Sequence, residues 1–204
     1  MKDSMTFWNK AAEKYAKDPV QDMESYEYKL AATRAYFKPD MKVLEIACGT
    51  GTTALLHAPY VASYRAVDIS TEMIRIARQK DGADKIKFEV ADFEKMSVEP
   101  ESMGMVQAHS ILHLLGEPAK TIRKAYRTLQ PGGFFVSSTS CLSGIWPLRL
   151  IAPLGQLLGR FPHMAFISED GLRTMMREAG FIILEDWKPS RRFTPLFLVC
   201  QKPN

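Results

Sequence analysis

The chain is short of cysteine, of long apolar runs and of charge of one sign, and each shortage excludes something. Its three cysteines, Cys48, Cys141 and Cys200, are odd in number and far apart, which excludes a disulfide framework or a zinc knuckle. They read as reduced thiols of a cytoplasmic protein, and no metal is expected. The most apolar stretch, Cys141 to Gly159, is broken by Pro147, Arg149 and Pro153, whereas a membrane-spanning helix needs about 20 apolar residues without such breaks. No transmembrane segment is expected, and the charged residues before Lys10 leave no apolar core for a signal peptide. Basic and acidic residues number 27 and 23 and are spread along the chain apart from the pair Arg191-Arg192. That pattern leaves no basic stripe for nucleic acid.

What is present suits one globular domain. Of 204 residues, 46% are apolar and 25% charged, enough to bury a core without splitting it in two. Thr6 to Ala16 places Phe7, Trp8, Ala11, Ala12 and Tyr15 at near-helical spacing, Asp18-Pro19 ends that helix, and Glu24 to Tyr36 reads as a second. From Val43 the pattern alternates. Strands are expected at Val43 to Ile46, Tyr64 to Val67, Lys85 to Val90, Met103 to Ala108, Phe134 to Ser138, Phe181 to Trp187 and Phe193 to Cys200. Helices between them run from Gly51 to about Pro59, from the N-cap Ser70 to Gln79, from Pro118 to Leu129, and from the N-cap Ser168 to Ala179. Alternation of this kind implies an α/β domain with a mostly parallel sheet covered on both faces. Cys141 to Ile167 falls outside the rhythm and reads as a cap inserted over the carboxyl edge of the sheet.

The sharpest local signal is Val43-Leu44-Glu45-Ile46-Ala47-Cys48-Gly49-Thr50-Gly51, an apolar strand running into a loop whose glycines let backbone N–H groups approach a ligand. Alone it equally describes a tight strand-to-helix turn. Asp68, at the end of the next strand, is placed to accept both hydroxyls of a ribose. At the end of the third strand the Asp92 carboxylate can accept from an exocyclic amine and Phe93 can pack on an adenine ring, with helix capping the alternative for Asp92.

Together with Ile111-Leu112-His113 and Leu129-x-Pro131-Gly132-Gly133, these segments resemble the successive motifs of the class I S-adenosylmethionine-dependent methyltransferases, over about Tyr36 to Ser138. Within that superfamily the chain is most similar to the ubiquinone/menaquinone-biosynthesis type, which shares a Trp-Asn-x-x-Ala-x-x-Tyr helix like Trp8 to Tyr15. The resemblance implies a Rossmann-like, doubly wound, seven-stranded sheet with an antiparallel last strand. It divides the single domain 1–204 into a helical lid (1–36), a cofactor-binding core (37–140), a helical cap (141–167) and a C-terminal helix with strands (168–204). It implies S-adenosyl-L-methionine as cofactor, with Ala47, Cys48 and Gly49 at the methionine part and Glu45, Gly51 and His109 also among the cofactor-binding residues. Asp68 would take the ribose, Ile69 and Met73 the adenine face, and Asp92 and Phe93 its edge, while Tyr15 and its helix close over the top. Two positions depart from the pattern: Gly104 stands where many relatives open strand four with Asp, and Ala47-Cys48 replaces a commoner Gly-Cys or Gly-Thr. A dehydrogenase would use similar elements, and Ala54, where its loop has a third glycine, is permitted there; the Asp92-Phe93 and Leu129 to Gly133 elements tip the balance to methyl transfer.

Methyl transfer from a sulfonium needs mainly placement. A base is needed only when the acceptor must lose a proton, and His109 and His113, which follow strand four, are the candidates, with His109 preferred. His113 alternatively belongs to a helix packed beside the cofactor. The cap carries Ile145, Trp146, Leu148, Leu150, Ile151, Leu154, Leu157, Leu158 and Phe161, with Arg149 and Arg160. It suits an apolar or small acceptor, ordinary core packing, or contact with a membrane surface. A cofactor-binding regulatory module without turnover is the reading from a different class. Monomer and homodimer are both open.

Overall fold

Seven strands hydrogen-bond into one sheet in the order β3-β2-β1-β4-β5-β7-β6. They are β1 (Lys42–Ile46), β2 (Ser63–Asp68), β3 (Ile86–Val90), β4 (Met103–His109), β5 (Leu129–Thr139), β6 (Ile182–Trp187) and β7 (Leu196–Gln201). The computed structural model describes residues 2–157, 161–189 and 194–204. Neighbours from β3 to β5 run parallel. β7 inserts antiparallel between β5 and β6, so the doubly wound sheet with its reversed last strand is as the sequence implies. The central strands read as continuous apolar runs because both faces are covered, the condition of a parallel sheet.

Helices α1 (Lys2–Lys17), α2 (Met23–Arg34), α3 (Thr52–His57) and α4 (Thr71–Arg78) precede β3 in the chain. α5 (Pro118–Thr128), α6 (Trp146–Leu157) and α7 (Glu169–Glu178) follow β4. One face of the sheet packs Val43, Met105 and Val136 against Ala54 of α3, Ile74 and Ala77 of α4 and Ala32 of α2. The other packs Leu44, Val106 and Phe135 against Ile122 and Ala125 of α5 and Leu172 and Met176 of α7. Alternation along each strand thus feeds two cores, each side chain pointing opposite to the last.

Several boundaries differ from the sequence expectation. β5 begins at Leu129, not Phe134, because Leu129 pairs with Met103 and the register then shifts, so that Met105 meets Phe134. The turn signal Pro131-Gly132-Gly133 is therefore an irregularity within the strand and not its start. α1 begins four residues before Thr6, at Lys2, and α2 stops at Arg34. The helix after Gly51 ends at His57 and continues as a 3-10 turn, Ala58–Tyr60. Both serine N-caps hold: Ser70 Oγ accepts from Met73 N and Ser168 Oγ from Gly171 N. Arg160, Leu158, Arg191, Arg192 and Phe193 lie outside the described residues.

α2 positions the site. Just beyond its C-terminal end the Tyr36 ring lies 4.9 Å from Phe134 in the middle of β5, and Tyr28 stacks on Trp187 at 4.1 Å. Its N-terminal half therefore reaches the carboxyl ends of the strands, where Tyr26 bonds Thr53 Oγ1 at 3.1 Å and Lys29 reaches Ser138. In open α/β sheets ligands bind at that edge.

Candidate active site

β1 ends at Ile46, and the chain then turns through three left-handed residues, Ala47 (φ 54°), Gly49 (φ 55°) and Gly51 (φ 74°). Such a curl converges backbone N–H groups on one concave spot. Cys48 N donates to Val67 O at 3.0 Å and Gly49 N donates to Asp68 Oδ2 at 2.9 Å, so the loop is tied to the tip of β2. Glycine at 51 is also demanded by space, since a Cβ there would stand 2.6 Å from Phe88 Cζ. Ala47 has no such freedom and holds a left-handed conformation that costs about 1–2 kcal/mol, the kind of strain that gathers at ligand sites. The Cys48 thiol is buried and pushed well above its ordinary pKa, burial being the main cause. It is a small loop side chain and not a nucleophile.

Asp68 is buried, with Oδ1 accepting from Ser70 N at 2.8 Å and Oδ2 from Gly49 N. Burial raises its pKa, against the lowering effect of bonds from Ser70, Gly49 and Ile69. Each oxygen retains acceptor capacity beyond its amide bond. Tyr15 stands beside the loop: a Cβ on Gly49 would lie 3.6 Å from its Cε1. Its hydroxyl pKa is raised by burial and then by Asp68 and Glu45, although half of the residue is exposed (52%). α1, which carries it, is held at the start of α4. Asn9 Oδ1 accepts from Ser70 Oγ at 2.7 Å, Thr71 Oγ1 at 3.3 Å and Glu72 N at 3.3 Å, and Glu13 pairs with Arg75. Trp8 meets Tyr15 edge-on at 6.4 Å. The helix is docked over the Asp68 to Ser70 corner, as a lid in the closed position would be.

Glu45 is buried at the end of β1. It is 2% exposed, bonded to the Tyr64 hydroxyl at 2.9 Å, and its pKa is raised to about 8 by burial. Gln107 Oε1 lies 3.3 Å from the same hydroxyl, 3.1 Å from His57 Nδ1 and 3.1 Å from His109 Nε2. His109 thus closes a buried polar chain running under the loop. Burial first, then His57 and Lys29, lower its pKa to about 3, which keeps the imidazole neutral and makes it a weak proton acceptor. His113 sits in a 3-10 turn, Leu112–Leu114, and not in a longer helix. Its Nδ1 is buried with no partner among the described residues, burial lowers its pKa, and its carbonyl accepts from Ala165 N at 2.7 Å, tying the end of the cap to the turn after β4.

The third-strand element divides. Asp92 Oδ1 accepts from Glu94 N at 3.0 Å, a turn-capping bond, and Oδ2 faces Lys95 at 3.7 Å. The Phe93 ring is 6% exposed within the core, with the Lys124 ammonium 5.0 Å from its centre. The ring is thus packed into the core, where the sequence reading sets it beside an adenine. Met73 is buried and Ile69 half-buried behind Asp68. In the cap, Ile151 and Leu154 point to solvent while Ala152 is buried. Lys29, His57, Tyr64 and Gln107 were not marked by the sequence. Lys29 and His57 look like any polar residues of a helix, and Tyr64 and Gln107 lie inside apolar strands where only pairing across strands reveals them.

The family model described as methyltransferase domain matches residues 37–180. Malonyl-[acyl-carrier protein] O-methyltransferase of Priestia megaterium is 32% identical over 106 residues, covering 51% of this chain and 38% of its own. Demethylmenaquinone methyltransferase of Symbiobacterium thermophilum is 27% identical over 158 residues, covering 72% of this chain and 61% of its own. The chain therefore spans less than two thirds of the length of either relative. Among solved structures, an S-adenosylmethionine dependent methyltransferase from Mesorhizobium loti superposes with a TM-score of 0.68 at 18% identity, covering 84% of this chain and 96% of its own. At that identity the likeness speaks for the fold.

Proposed function

The chain belongs to the methyltransferase-domain family, and from that premise we propose that it transfers the methyl group of S-adenosylmethionine to a small or apolar acceptor. The observation that carries this reading is the bond from Gly49 N to Asp68 Oδ2 beneath Tyr15, which joins an amide-lined turn and an acceptor pair into one ribose-sized grip. Asp68 would hold the ribose hydroxyls. The backbone of Ala47, Cys48, Gly49 and Gly51 would hold the methionine part, with Ile69 and Met73 against the adenine and Asp92 at its amine. When bound, the cofactor supplies a methyl carbon already activated by a positively charged sulfur.

What remains for the protein is placement, with acceptor and methyl carbon about 3–3.5 Å apart. Tyr15 and α1 exclude water above the loop, and His109 and Ser138, paired in register at the ends of β4 and β5, border the acceptor side. His109 serves there as a neutral hydrogen-bonding group. The apolar cap supports an acceptor with apolar parts, and the two relatives, named for a malonyl thioester and a demethylmenaquinone, are consistent with a small-molecule acceptor. A cytoplasmic enzyme, monomeric or homodimeric and capable of peripheral membrane contact, fits this reading; among the described residues no helix is long and apolar enough to cross a membrane. Calorimetric titration with S-adenosylmethionine and S-adenosylhomocysteine tests it. Absence of binding by both at millimolar concentration overturns it.

A further inference from the structure

Lys29 is a lysine held where its charge has little to answer it. It lies on the face of α2 turned to the carboxyl ends of the strands, half-buried, with its ammonium 3.4 Å from Ser138 Oγ. That long contact to a neutral hydroxyl is its hydrogen bond among the described residues, and no carboxylate there pairs with it. Asp22, one helix start away, acts on it from longer range. Ser138 is the register partner of His109, and His109 feels the lysine's charge. The three polar side chains therefore share one face of the sheet, at the tips of β4 and β5, beside the β1 loop.

An ammonium drawn out of water without a counter-charge is costly, and the cost is recovered when an anion arrives with hydrogen-bonding geometry. Ser138 and His109 are both neutral, so the local potential is set by the lysine. The groups around it, one ammonium and one hydroxyl a few ångströms apart, match the two oxygens of a carboxylate. Lysine also suits a ligand of variable shape, since its flexible stem delivers a point charge and not a fixed fork.

We propose that Lys29 is a specificity-determining residue of the acceptor site, where its ammonium, with Ser138 Oγ, receives a carboxylate borne by the methyl acceptor. This rests on the methyltransferase reading, which places the cofactor at β1 and β2 and leaves the tips of β4 and β5 to the acceptor. The adjoining apolar cap then houses the rest of a molecule with one charged and one apolar end.

The experiment is calorimetry on protein loaded with S-adenosylhomocysteine, titrated with matched acids and amides: acetate and acetamide, benzoate and benzamide, octanoate and octanamide. At least one acid binds about tenfold more tightly than its amide, the difference a charge-assisted contact supplies. Lys29→Gln abolishes that preference, Lys29→Arg retains it, and both variants bind S-adenosylhomocysteine as the parent protein does. Equal binding of acids and amides, binding of neither, or a preference that survives Lys29→Gln overturns the proposal while leaving the cofactor reading intact. Failure of the parent protein to take up S-adenosylhomocysteine removes the cofactor reading itself, and with it this one.

Discussion

Gly49 N and Asp68 Oδ2 stand 2.9 Å apart, and Asp68 Oδ1 takes the amide of Ser70 at 2.8 Å. Both oxygens of one carboxylate are thereby oriented by backbone before any ligand arrives, which removes part of the ordering cost of binding. Asp68→Ala removes the proposed ribose acceptor and also unties the loop. Cofactor affinity should fall about 10- to 100-fold, the range for bonds to a charged group. Asp68→Asn should fare little better, because its NH2 must oppose either the Gly49 or the Ser70 amide. Calorimetry showing parental affinity in both variants would refute the assignment.

Gly51 is fixed twice, by φ 74° and by the Phe88 ring 2.6 Å from where a Cβ would sit. Gly51→Ala should lower stability by the left-handed penalty of about 1–2 kcal/mol plus the cost of displacing Phe88. In urea unfolding the Gly51→Ala, Phe88→Leu pair should be less than additive, since the smaller ring neighbour removes the clash but not the φ strain. Strict additivity would show that the two residues do not meet.

The loop and the acid were legible in the sequence because both sit at strand ends, where a glycine or an aspartate interrupts an apolar run. The mostly parallel sheet with helices on both faces was legible from alternation, and the caps Ser70 and Ser168 from capping chemistry. The polar chain was not. Glu45, Tyr64 and Gln107 are adjacent only after β1, β2 and β4 align side by side, and a one-dimensional pattern shows each as a polar break in a strand. Phe93 is a different case: its position in the motif suggests a ring packed on an adenine, and in the fold the ring is a core residue, 6% exposed.

Glu45 makes stability depend on pH in a stated direction. Its carboxyl titrates at about 8 in the folded chain against an ordinary 4.5, so between those values the unfolded chain releases a proton that the folded chain keeps. Fewer protons on the unfolded state mean that stability falls as pH rises through this window and levels off above about 8. Glu45→Gln has no proton to lose and still accepts from Tyr64. It should match the parent below about pH 4.5 and become progressively more stable relative to it up to about pH 8. Urea midpoints measured at several pH values give the difference directly, and a constant difference would mean that Glu45 is ionised in the fold.

Asn9 holds α1 in place through three acceptor contacts at the first turn of α4. Ser70 Oγ, which caps α4 by accepting from Met73 N, is the hydroxyl that donates to Asn9, so the proposed lid and the proposed cofactor corner share one side chain. Asn9→Ala leaves Ser70 capping its helix but releases α1, at a cost of about 1 kcal/mol, typical of a lost capping partner. That loss should appear in the lid and not in the core: limited proteolysis within residues 2–17 should quicken about fivefold, while the global unfolding midpoint moves little. If Tyr15 closes the loop only when α1 is docked, S-adenosylhomocysteine should also dissociate several-fold faster from this variant, with most of the affinity change in the off-rate. Stopped-flow displacement separates the two rates, and an unchanged off-rate alongside faster proteolysis would mean that α1 covers the fold without guarding the cofactor.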